Sequence, residues 1–255
     1  MAQIQLVPTL ATMADIYGLP REGGAASPRF KRYVELVPHH YGLVTYNPMA
    51  GPHALETTEQ LLDVNAETVA MDAAREAADL CHHRDPITLA VVLCAPGGWT
   101  DRLATEVEHR TLHRLPSGHG LILHWTRERP TAEQIRREAI AEAVRVMALA
   151  GPGYRASVRS LLCREGLAYA LGGTPYGPVT AEDQQAVGDA LEVLGLSDTI
   201  GDMTAVLYGD AAAAALGWAL AGVPEHGGYR CAIDDAARRV DDLGAPATLH
   251  AIAAS

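Results

Sequence analysis

The stretch Ile87–Cys94, ITLAVVLC, constrains this chain more than any other. It is apolar, uncharged and rich in β-branched residues, and it lies between Asp85-Pro86 and Ala95-Pro96-Gly97-Gly98. Continuous rather than alternating hydrophobicity marks a strand buried on both faces. A helix is expected to follow from Thr100 to about Leu115. After the turn 116–120, the segment GLILHW (120–125) reads as a second strand. Upstream, Pro52 opens a helical pattern that runs to about His83, with proline in the first turn where its missing N–H costs nothing. Residues 1–50 are punctuated by prolines and glycines, among them Pro8, Pro20, Gly23, Gly24, Pro28, Pro38 and Pro48, and read as irregular, except for a short helix at 29–37 and a strand at 42–46.

From Thr131 the pattern is helical throughout. Thr131 stands three residues before Gln134, the spacing of a capping box. Further helices are expected at 154–171, 181–194, 202–218 and 229–242, separated by glycine- and proline-bearing turns. The fold class is therefore helix-rich α/β, with a small central sheet, flanking helices and an all-helical C-terminal half. A helix-rich α+β arrangement is the alternative. The composition shifts near Gly151-Pro152-Gly153, which divides a 1–150 α/β domain from a 151–255 helical region packed on it as one unit.

Charge and composition exclude several functions. The net charge is −11, with 31 acidic against 20 basic residues, so no broad nucleic-acid or anionic-lipid footprint is expected. The longest uncharged apolar stretch, Ile87 to Trp99, is far short of the roughly 20 residues of a membrane span. The first residues lack the basic and apolar regions of a signal peptide. Four scattered cysteines without a C-x-x-C pair then fit a cytoplasmic protein with reduced thiols. The 20 bases are 19 arginines and one lysine, Lys31. Lys31 has no Walker-type glycine pattern before it and no Schiff-base context, so neither a P-loop nor pyridoxal phosphate is expected.

Six of the eleven histidines fall between His82 and His124, which makes this segment the place to look for chemistry. On a helix at 100–115, Leu103, Ala104, Val107 and Leu115 gather on one side. Arg102, Glu106, His109 and His113 gather on the other. His109 and His113 form H-x-x-x-H, a spacing at which two imidazoles can share a zinc or iron ion, and Glu106 supplies a preceding E-x-x-H step. Arg110 follows His109, so this is not the H-E-x-x-H of zinc proteases. A solvated polar face explains the same pattern without any ligand.

The junction after Cys94, with Trp99 and Asp101, lies where layered α/β proteins place their sites. Cys94 is a nucleophile only if it meets the helix start rather than the core. Arg136, Arg137, Glu138, Glu142 and Arg145 read as a solvated charged face, with Arg137 a candidate clamp for a substrate carboxylate or phosphate.

The resulting reading is a small-molecule enzyme with its site at the end of strand 87–94 and on helix 100–115. Glu106, Asp101 and Arg102 are the catalytic candidates, Trp99 and Arg137 contact substrate, and His109 and His113 hold a divalent zinc or iron ion if the site is metal-dependent. The alternative is a non-catalytic binding or regulatory protein whose Ala-rich C-terminal helices dock a partner or a second copy of the chain.

Overall fold

The computed structural model describes residues 2–36, 47, 50–96, 101–111, 115, 117–151 and 153–254. Among these, three strands form one parallel sheet, β1 (Ile4–Val7), β2 (Ile87–Cys94) and β3 (His119–Trp125), in that spatial order. β2 is central, and all its residues but Thr88 are buried. The continuous apolar run thus has the physical cause expected of it: both edges and both faces of this strand are covered.

Twelve α-helices surround the sheet among the described residues. Between β1 and β2 come α1 (Leu10–Tyr17), α2 (Pro28–Leu36), α3 (His53–Asp63) and α4 (Ala66–Leu80). α5 (Arg102–Thr111) connects β2 to β3. Then follow α6 (Ala132–Leu149), α7 (Val158–Gly172), α8 (Ala181–Leu194), α9 (Ile200–Leu207), α10 (Asp210–Ala215), α11 (Gly227–Leu243) and α12 (Ala245–Ala253). None of them is long and apolar enough to cross a membrane.

The layering runs outward from the sheet. α4 and α6 pack on each other and on the strands, α4 against β1 and β2, α6 against β3 and β2. Their contact is built from small residues, with Ala70, Ala74, Ala77 and Ala78 of α4 and Ala139 and Ala143 of α6 all buried. Such side chains let two helix axes lie close together. α7 packs on α6, and α11 packs on α7. At that last crossing Gly166 is required: a Cβ there would stand 2.2 Å from the carbonyl oxygen of Ala232.

Several boundaries differ from the sequence expectation. The helix expected from Pro52 to His83 is two helices, α3 and α4, because Asn65 takes a left-handed conformation (φ 51°) between them. Asn tolerates that region better than most residues. The helix expected over 202–218 breaks at Gly209 (φ 95°), where a Cβ would meet Pro224 O at 2.5 Å. β1, α1 and α12 were not anticipated. β1 pairs from Ile4↔Ile87 to Val7↔Ala90 inside the segment expected to be irregular. The strand expected at 42–46 lies outside the described residues. Thr131 does cap α6, accepting from Gln134 N at 3.1 Å.

Candidate functional site

β3 ends at Trp125, and a turn through Glu128 and Arg129 leads to the start of α6. Here one face of α5, the first turns of α6, the end of α7 and the connections before α8 and α11 leave a cleft of about 630 Å³. Arg102 and Glu106 enter from α5, Arg137 and Glu138 from α6, and Tyr169, Tyr176 and His226 from the helical half. Arg110 and Arg129 complete a set of four guanidiniums in the same lining.

These cations differ in how far they are committed. Arg102 pairs with Glu106 at 2.9 Å and with Glu128, and its guanidinium lies 5.4 Å from the Trp125 ring centroid. Arg110 reaches Glu165 at 3.3 Å and Glu138 at 3.7 Å and covers the face of Tyr169. Arg137 makes only one long contact, from Nε to Glu138 at 3.4 Å, so its terminal nitrogens have no partner among the described residues. Arg129 is exposed and has no ion-pair partner among the described residues.

His226 occupies the opposite wall. It sits before α11 with left-handed backbone (φ 57°), an uncommon conformation for a non-glycine residue. Its ring lies 4.9 Å from that of Tyr176, which in turn stacks on the buried Tyr229 at 4.5 Å. Burial lowers the His226 imidazole below its ordinary value, with Glu225 opposing and Arg230 reinforcing the shift. Burial likewise pushes the Tyr176 phenol well up, so it stays protonated.

The residues singled out from sequence separate into three groups. Arg102, Glu106 and Arg137 meet in the cleft. Asp101 does not line it: its carboxylate accepts from Ala104 N at 2.8 Å and caps the first turn of α5. Trp99 and His113 lie outside the described residues. Cys94 is buried at the end of β2.

His109 turns away from Arg102 and Glu106, toward the outer edge of β3. Its Nε2 is 3.1 Å from Leu121 O and 3.4 Å from Glu142 Oε2. A carbonyl oxygen only accepts, so this nitrogen carries a hydrogen and offers no lone pair to a metal. Leu121 N donates to Glu142 Oε1 at 3.0 Å. Two side chains thereby satisfy the N–H and C=O that the edge strand would otherwise leave unpaired. Among the described residues no three His, Cys, Asp or Glu side chains converge as a metal site would require.

Of the expected solvated face of α6, Arg136 is exposed and pairs with Glu76 at 2.6 Å, whereas Glu142 and Arg145 belong to an ionic layer beneath the cleft. Glu142 and Arg145 are each 5% exposed and Glu165 is fully buried. Arg145 joins them, with Nη1 3.1 Å from Glu142 and Nε 3.0 Å from Glu165, and Arg164 adds a further pair to Glu165. α7 covers this side of α6, so the charges find partners in place of water. Burial alone would raise both carboxyls. His109 and Arg145 outweigh it at Glu142 and hold that group well below the carboxylate range. Arg145, Arg164 and Arg110 do the same at Glu165, to about 2.

Sequence reasoning missed His226, Tyr176, Tyr169 and Arg129 as cleft residues. Tyr176 and His226 stand in the connections 173–180 and 216–226, which interrupt helices with glycine and proline. Functional side chains often sit on such connections, and that was the available signal. Comparison with protein-family models, with curated proteins and with solved structures finds no match to this chain.

Proposed function

We propose that this chain is a small-molecule enzyme that binds an anionic substrate in the cleft at the carboxyl end of β3 and transfers a proton through His226. The observation that carries the reading is the convergence of four guanidiniums on one cleft in a chain of net charge −11. Two of them, Arg129 and Arg137, keep donors uncommitted. A planar guanidinium fork with free N–H groups fits the paired oxygens of a carboxylate or phosphate. Arg102, held by two glutamates of the same lining, is neutralised by them and offers no free fork.

His226 supports the catalytic half of the proposal. Its imidazole is neutral at pH 7, because burial lowers it from an ordinary value of about 6.5. It lines the same cavity as Glu106, so a base and a carboxylate act on one bound molecule. Tyr176 gives that molecule a flat wall next to the imidazole.

Two measurements test this. Calorimetric titration with inorganic phosphate and with small carboxylates should show binding that Arg137→Gln weakens about tenfold or more, the worth of a charge-assisted hydrogen bond. In turnover assays over a panel of phosphate monoesters and of esters that keep a free carboxylate, where His226 takes a proton from the attacking water and returns it to the leaving alkoxide, His226→Gln should lower the rate by about 10²–10⁴ without changing affinity. Unaltered binding in Arg137→Gln, or no anion bound at all, overturns the substrate class. Binding without turnover on any substrate favours the non-catalytic alternative.

A further inference from the structure

We propose a second ligand site in the helical half, separate from the cleft: a cavity between α7, α8, α11 and α12 that takes a small amphipathic anion, an unbranched carboxylic acid. The cavity has a volume of about 430 Å³, within the roughly 300–1,000 Å³ of small-molecule pockets. It opens to solvent on the side of the exposed Arg159 and Arg239, so a small molecule can enter it there.

The helices are fixed in ways that keep the void from closing. α7 and α11 touch backbone to backbone at Gly166 and Ala232. α8 is tied to α11 by Asp183 and Arg230, which pair through both carboxylate oxygens at 2.6 and 2.8 Å. α12 packs against both α7 and α11. With these contacts in place, the space beside the crossing cannot be filled by moving one helix inward.

The lining specifies the chemical class. Leu162, Val187, Leu191, Ala236 and Ile252 make an apolar wall suited to an alkyl chain. Cys163 and Cys231 complete it, and burial raises both thiols, Cys231 to about 11. At neutral pH they are therefore uncharged and behave as small apolar groups. The mouth is basic: Arg159 is exposed without an ion-pair partner among the described residues, and Arg239 stands beside it with only Asp235 opposed at 2.8 Å. A tail inside and a carboxylate on Arg159 satisfy both regions at once.

The two thiols provide the readout. The full chain is treated with N-ethylmaleimide, and labelling of each cysteine is followed by peptide mass spectrometry with and without decanoate. Decanoate should slow labelling at Cys163 and Cys231 and leave the slow labelling of the buried Cys81 and Cys94 unchanged. Arg159→Glu, with the wild-type circular dichroism spectrum and melting point, should need about tenfold more decanoate for the same protection. Inorganic phosphate, which tests the cleft, should give no protection here. Three results would overturn the proposal: no protection at millimolar decanoate, equal protection in Arg159→Glu, or equal protection by decanol, which lacks the charge.

Discussion

At the scale of single residues, the least expected arrangement is the ionic layer of Glu142, Arg145, Glu165 and Arg164 under the cleft. Its effect on stability has a definite sign. Glu165 sits at about 2 in the folded chain and near 4.3 when unfolded, and Glu142 is held lower still than the ordinary range. A carboxyl depressed by folding contributes stability that is complete above the unfolded value and disappears as pH falls through the folded one. Urea midpoints should therefore be flat with respect to these groups above about pH 5 and fall steeply between about pH 4.3 and pH 2. Glu165→Gln should be less stable at neutral pH and lose less on acidification. An acid limb as steep in the variant as in the parent would remove Glu165 from this role.

At the scale of elements, the break between α3 and α4 rests on one residue. Asn65 occupies the left-handed region, which costs most L-residues about 1–2 kcal/mol. Asn65→Val should lower stability by about that amount, while Asn65→Gly should be nearly neutral, as measured by chemical denaturation. Equal effects of the two would show that the side chain, not the backbone, matters. Asn65 also shows where one-dimensional reading ends. Period and composition made α6, α8 and β2 legible to within a residue or two, because each has a strong apolar pattern or a cap at its own boundary. The Asn65 break has neither. β1 was hidden because four residues carry almost no periodicity and become a strand only beside β2. The cleft was half legible for a similar reason. Arg102, Glu106 and Arg137 stand out as charged groups near the end of a strand, but the burial of Glu142 and Arg145 depends on how α7 packs across α6, which no local pattern announces. His226 approaches the cleft from a position more than a hundred residues beyond Arg102.

At the scale of the whole molecule, the pair Arg145–Glu165 links α6 to α7 across the compositional boundary near residue 151. Gly172 packs its Cα against the carbonyl of Arg137 on the same seam, with room for no Cβ (2.8 Å). A seam of buried charge and close backbone contact predicts that both halves unfold in one transition. Calorimetry should show a single peak whose van't Hoff and calorimetric enthalpies agree, and two resolved peaks would make residues 1–150 and 151–255 independent domains. The sheet order carries one more consequence, for folding speed. Thr88 meets His119 across a modest loop, whereas Ile4 must find Ile87 across one more than twice as long. Each doubling of a loop adds about 0.6 kcal/mol of closure entropy, so the β2–β3 pairing belongs in the folding nucleus and β1 docks after it. Shortening a β1 side chain, as in Leu6→Ala, should then accelerate unfolding and leave the refolding rate almost unchanged.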